Sequence, residues 1–269
     1  MIFDVEHGAC ALLTCDNGER LMIDCGHNAS TGWRPGDYLQ RLGVSALKML
    51  VITNYDEDHV SGLPNLTSKV VVQSFLGNPS VSAQTLLALK SECGHGPGVA
   101  KLTQMMTSAG VWSGPPQFPG ATWNAYWNKY PAFDDENNLS LAFQLVVNGF
   151  GFLFPGDLES AGWKQLLGAN PLGFTNAVKA TNFLIASHHG RISGVCTELF
   201  DDYGCSPQLV VISDDCHQYD TQKTTTYYAS KCSGIQNFRI AGTTRFVLTT
   251  RSDGPINFSF PSAGGCVVT

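Results

Sequence analysis

The chain has 269 residues, 43% of them hydrophobic and 14% charged, which is enough to bury a full core and too apolar for an extended disordered protein. Its 16 basic and 22 acidic side chains leave a formal charge of −6, so no global basic field draws nucleic acid to it and any polyanion site must be local. Nine cysteines, odd in number and without a CxxC pair, argue against a disulfide framework or a zinc ribbon.

The first segment, Met1 to His7, alternates like a strand and carries neither a basic nor an apolar leader region. No apolar run approaches the roughly 20 residues of a membrane span. A single domain over residues 1–269, in the reducing cytoplasm and away from the membrane, is therefore expected. Residues 9–14 and 20–24 flank Asp16-Asn17-Gly18-Glu19 and predict an antiparallel hairpin. A helix is expected at 36–42 and a buried strand at Leu47 to Thr53, with the polar run Asn54 to His59 directly after it. Residues 79–110 look helical, broken at Gly94 to Gly98, and 111–138 reads as a loop-heavy rim holding Trp112, Trp123 and Trp127. A second hairpin, 140–147 with 150–154 through Asn148-Gly149, ends in Pro155-Gly156-Asp157. After a helix near 159–168, strands at 183–186 and 209–213 deliver His188-His189 and Asp214-Asp215, and a final hairpin pairs 238–250 with 256–260.

Polar acceptors thus recur at the C-terminal ends of separate apolar strands: Asp24, Asn54 to His59, Asp157, His188-His189 and Asp214. Strand ends are where α/β sites are assembled. One aspartate after a strand is an ordinary helix cap or turn former; five such positions in succession point to chemistry. Asp56, Asp58 and His59 form a dense oxygen and nitrogen run suited to Zn²⁺, Mn²⁺, Fe²⁺ or Mg²⁺. Two such ions about 3.5–4 Å apart would suit hydrolysis.

Five segments carry a family resemblance: Ile23-Asp24-Cys25-Gly26, Thr53-Asn54-Tyr55-Asp56-Glu57-Asp58-His59-Val60-Ser61-Gly62, Asn138-Leu139-Ser140-Leu141, Pro155-Gly156-Asp157 and Ser187-His188-His189-Gly190. Together they resemble the successive motifs of metallo-β-lactamase-fold hydrolases, closest to the hydrolase domain of the competence channel ComEC. That resemblance runs from residue 1 to about 260 and implies an α/β fold, an αββα sandwich of two mixed sheets between helices. It implies one or two divalent ions, Zn²⁺, Mn²⁺ or Mg²⁺, and hydrolysis of phosphodiesters through a metal-bound hydroxide. By the same resemblance Asp58, His59 and His189 would hold one metal, Asp56 and Asn54 the other, and Asp157 would bridge. Asp24 would orient the metal loop from behind, and His188 would face substrate as an acid or phosphate-binding group. The expected catalytic residues are accordingly Asp58, Asp157 and His188.

Two departures from the family pattern bear on this. Asn54 stands where the first motif histidine is usual, and Asp134 to Asn138 offers only oxygen where a further histidine is usual, which favours harder metals or a weak first site. Arg191 replaces the serine after the histidine pair and, with Asn138, is a candidate substrate contact, since guanidinium suits phosphate. His7, His27, His95 and His217 lack sequence partners, and Trp112, Trp123 and Trp127 could stack bases or pack a core.

The leading expectation is a phosphodiesterase or nuclease acting on DNA or nucleotides, with a partner protein in a multi-component system as a further expectation from resemblance. A binding or regulatory module without turnover and an ester, lactam or lactone hydrolase stay open.

Overall fold

The structure is a computed structural model that describes all residues except 92–93, 109–114, 217–219 and 263. Two sheets form its centre. The first contains β1 (Ala11–Thr14), β2 (Arg20–Ile23), β3 (Met49–Val51) and β4 (Phe75–Leu76) in that order, with β1 antiparallel to β2 and the rest parallel. The second contains β5 (Ala121–Trp127), β6 (Leu141–Val147), β7 (Phe150–Phe154), β8 (Thr181–Ile185), β9 (Leu209–Ile212) and β10 (Val247–Thr249), ordered β10-β9-β8-β7-β6-β5. Strands β5 to β7 are antiparallel neighbours, whereas β7 to β10 run parallel.

The period-2 alternation of these strands decides the layering, because successive side chains leave opposite faces. Ala11, Leu21, Ile23, Met49 and Val51 of the first sheet meet Phe143, Leu145, Phe152, Phe154, Phe183, Val211 and Leu248 of the second in one core. The residues between them face outward. Leu12, Met22 and Leu50 pack under α1 (Pro35–Arg41), α3 (Leu63–Lys69), α4 (Ala83–Leu89) and α5 (Pro97–Ser108), where the buried partners include Leu39, Leu63, Leu66, Leu86 and Leu102. Ala142, Leu153, Leu184 and Val210 pack under α6 (Ser160–Ala169), α7 (Phe174–Lys179), α8 (Thr197–Asp201) and α9 (Thr225–Ala229), against Trp163, Leu166, Phe174, Leu199 and Tyr228. Three apolar layers between four structural ones make an αββα sandwich, the architecture expected above. Each fully buried Leu or Phe contributes about 1.5–3 kcal/mol by transfer alone.

The turn Asn148-Gly149 has both residues at positive φ, +48° and +86°, the conformation that matches strand twist in a two-residue hairpin. Two expectations need correction. Residues 121–127 are not rim but a seven-residue edge strand, and Trp123 and Trp127 pack against the inter-sheet core; Trp112 and His217 lie outside the described residues. The expected final hairpin is absent as drawn: Val247–Thr249 runs parallel to β9 and leads into α10 (Thr250–Asp253), while Ile235–Gln236 pairs with Thr244–Arg245 and Phe258–Ser259 with Val267–Val268. Among the described residues no helix is long and apolar enough to cross a membrane. The eight described cysteines are free.

Candidate metal centre

The parallel strands β2, β3, β7, β8 and β9 end on one edge of the sandwich, where Asp24, α2 (Glu57–Val60), Asp157, His188-His189 and Ser213 follow them. Backbone bonds tie these ends together: Asp24 N donates to Val51 O at 2.8 Å, Leu141 N to Thr53 O at 2.7 Å, and Ala186 N to Val211 O at 2.8 Å. α2 is a single turn that presents Asp58 and His59. Its carbonyl at Asp58 is approached so closely that a Cβ on Gly26 would sit 2.6 Å from the oxygen, which is why glycine follows Asp24-Cys25.

Four side chains converge. His59 Nε2 stands 3.3 Å from His189 Nε2 and 3.1 Å from Asp157 Oδ1. His189 Nε2 is 3.2 Å from Asp58 Oδ2 and 3.5 Å from Asp157 Oδ2. The far nitrogens are fixed by acceptors: His59 Nδ1 lies 3.1 Å from Asp24 Oδ2, and His189 Nδ1 lies 3.0 Å from the Ser213 carbonyl. Acceptors at both Nδ1 atoms can hold a proton there, so that once the Nε2 protons leave, two lone pairs face each other. Such a pair is repulsive unless a cation lies between. Two nitrogens bound tetrahedrally to one Zn²⁺ at about 2.0–2.1 Å stand about 3.3–3.4 Å apart, the spacing found here.

Asp24 is itself buried and accepts Thr53 N at 2.7 Å as well as the Thr53 hydroxyl, so its carboxylate cannot swing away from His59. This is the carboxylate–histidine support usual behind metal ligands. His59, Asp157 and His189 are nearly closed to solvent, whereas the Asp58 side chain is 40% exposed, so the cluster opens on the Asp58 side. A cavity of about 30 Å³ lies behind it, lined by Asp24, Thr53, His59, Asp157 and His189 with Ile23, Phe154 and Ile185.

Charge follows geometry. Burial opposes ionisation at His59 and His189, but the Asp157 carboxylate outweighs it. His59 is raised well above the ordinary imidazole range, and His189, which donates to Asp157 and Asp58, reaches about 10. Burial would raise Asp157 too, yet the two histidines hold it well below the usual carboxylate range. The site demands positive charge, whether as protons or as a metal.

His188, His189 and Gly190 are consecutive left-handed residues at φ +50°, +52° and +74°, and Asp24 also has φ +57°. Left-handed non-glycine residues cost free energy and persist where the fold overrides them. This turn aims the two imidazoles apart, with ring centroids 6.5 Å from each other. His188 stays outside the cluster: Nδ1 is 2.9 Å from Ser193 Oγ and 3.3 Å from Glu159 Oε1, and Arg191 donates to Nε2 at 3.3 Å. Burial, followed by the charges of His189 and Arg191, lowers its pKa despite the opposing pull of Asp157 and Glu159, so it stands neutral near pH 7 as a hydrogen-bonding group rather than a ready acid.

Four residues of the expected constellation are engaged elsewhere. The Asn54 oxygen accepts Asp56 N at 2.7 Å, and its amide nitrogen donates to Ser140 Oγ at 3.0 Å and Glu136 O at 3.2 Å. Asp56 forms an ion pair with Lys90. Asn138, a candidate substrate contact, is buried and caps α6 instead, its oxygen accepting Gly162 N at 2.8 Å and Glu159 N at 3.3 Å. Asp214 pairs with Arg251 and is fully buried. Lys90, Ser213 and Glu159 stand in no motif that marks a role, and Thr53 opens a motif segment without having been given one. A second group, His7, Asp215 and Cys216, also brings ligand atoms within 4.8 Å of one another, but Asp215 and Cys216 are exposed.

No protein-family model matches this chain, and no curated protein does. Among solved structures, a Cronobacter sakazakii metallo-β-lactamase with a HARLDQ motif is 15% identical over 65% of this chain and 66% of its own, with a TM-score of 0.42. A diphosphatase of the PhnP family is 11% identical over 92% of this chain and 82% of its own, with a TM-score of 0.42. CmlA, a diiron β-hydroxylase from Streptomyces venezuelae, is 13% identical over 79% of this chain and 44% of its own, with a TM-score of 0.48.

Proposed function

We propose that this chain is a metal-dependent hydrolase of the metallo-β-lactamase type that cleaves phosphodiesters of DNA or nucleotides. The observation that carries the metal centre is the pair of Nε2 atoms 3.3 Å apart, each backed by an acceptor on Nδ1 and flanked by Asp157 and Asp58. His59, His189, Asp157 and Asp58 would hold the ion. A divalent ion bound there supplies Lewis acidity that activates water and polarises the scissile group.

The protein groups divide the remaining work. Asp24 and the Ser213 carbonyl keep the two imidazoles in the metal-binding tautomer. Asp157 lies against both histidines and is itself held by its backbone N–H on Ser140 Oγ at 3.0 Å. Arg191, beside His188, supplies a positive charge suited to a phosphate oxygen. The phosphodiester assignment rests on that charge and on the resemblance of the motifs. With a net charge of −6, single strands, strand ends and small nucleotides fit better than long duplex.

The test is incubation of metal-loaded protein with linear, circular and single-stranded DNA and with cyclic nucleotides, beside His189→Ala. Cleavage by wild type that disappears in the variant supports the proposal; no cleavage with Mn²⁺, Mg²⁺ or Zn²⁺ refutes it. A second reading, a binding module without turnover, is favoured by the commitment of Asn54 to its neighbours. It predicts nucleotide binding without product in the same experiment.

A further inference from the structure

One of the two residues expected to hold a second ion, Asp56, is instead paired with an ammonium group. Lys90 Nζ is paired with Asp56 and lies 3.0 Å from Glu136 Oε1, and its side chain is only 12% exposed. Asn54, the other expected ligand, is engaged at both ends of its amide. Its oxygen already accepts the Asp56 amide, and an amide nitrogen has no lone pair to give a metal. That nitrogen shares the Ser140 hydroxyl with the backbone amide of Asp157, so beside Asp157 the protein presents N–H donors where a second ion would require acceptors. The loop of Glu136 is drawn to the same place, its carbonyl accepting Asn54 Nδ2 at 3.2 Å.

We infer that the centre takes a single divalent ion and that Lys90, held between Asp56 and Glu136, supplies the second positive charge. This rests on the reading of Asp58, His59, Asp157 and His189 as a metal site. A largely covered lysine held by two carboxylates is a built element rather than a loose surface pair. A divalent ion placed against Asp56 would have to displace Lys90 or bear its like charge at close range. Fixed ammonium also makes the site less dependent on metal supply: one positive charge is part of the chain and does not dissociate.

The experiment counts bound ions by native mass spectrometry as intact protein is titrated with Mn²⁺ and with Zn²⁺. Wild type is expected to saturate at one equivalent. Lys90→Met, which frees Asp56 and Glu136, is expected to take a second Mn²⁺, while Lys90→Arg keeps the charge and stays at one. Lys90→Gln replaces the Met variant where circular dichroism shows that the latter does not fold. Two equivalents on wild type, or a neutral Lys90 variant that still saturates at one, overturns the inference and leaves the metal centre standing. No ion on wild type removes the metal centre itself, and the inference falls with it.

Discussion

Replacing Asp24 by Asn tests how the site is held from behind. Asp24 receives three donors: Thr53 N at 2.7 Å, the Thr53 hydroxyl, and His59 Nδ1 at 3.1 Å. An asparagine must turn its NH₂ towards one of these sides. On the Thr53 amide side, two N–H groups face each other in a buried site. On the other side His59 must become the acceptor, which moves its proton to Nε2 and blocks the lone pair aimed at His189. Asn tolerates the left-handed φ of +57° at this position, so backbone strain does not account for the effect. Loss of a charge-assisted bond with a buried donor left over costs about 1.5–3 kcal/mol in metal-free protein, and loss of such backing typically weakens metal affinity about 10–100-fold. Zinc affinity by chelator competition, with urea unfolding in chelator, measures both. An Asp24→Asn protein with wild-type zinc affinity would refute the assignment of His59 Nε2 as a ligand.

Other perturbations separate the parts of the account. Gly190→Ala introduces a Cβ 2.9 Å from Ile212 Cγ2 at φ +74°, and should lower stability by about 1–3 kcal/mol and weaken metal binding by displacing His189; urea unfolding and zinc titration read the two effects. In metal-free protein His189 is raised from 6.5 to about 10, so its charge stabilises the fold fully below about pH 6.5, and that contribution fades as pH rises through about 10. Because a metal must displace those protons, apparent affinity should rise by about tenfold per pH unit for each proton released between pH 6 and 8, which titration at three pH values checks. Asn138→Ala should cost about 1–2 kcal/mol as a lost helix cap and leave metal affinity unchanged; loss of affinity would place Asn138 at the centre after all.

The sandwich was legible because its central strands are short apolar runs that end in polar residues, and the edge on which Asp58, His59, Asp157 and His189 meet follows from those ends. The strand at 121–127 was hidden by the Pro and Gly before it and by Asn124 within it, although its Trp123, Ala125 and Trp127 repeat with period 2. The last hairpin was misdrawn because Val247–Thr249 is too short to show whether it pairs with a hairpin partner or runs parallel to β9. What sequence could not show was which acceptors are already engaged. Lys90 reaches Asp56 from 34 residues away, and Ser213 supports His189 through a carbonyl that any residue would carry. Asn138 lies in a motif-like segment yet satisfies a helix amide, a role that depends on where α6 begins.

Zinc K-edge X-ray absorption on protein loaded with one equivalent of Zn²⁺ tests the central claim most directly. The account predicts two imidazole nitrogens and carboxylate oxygen, all about 2.0–2.1 Å from the metal, with one imidazole lost in His189→Ala. A sulfur neighbour at about 2.3 Å, which would point to His7, Asp215 and Cys216, or a shell without paired imidazoles, would contradict it.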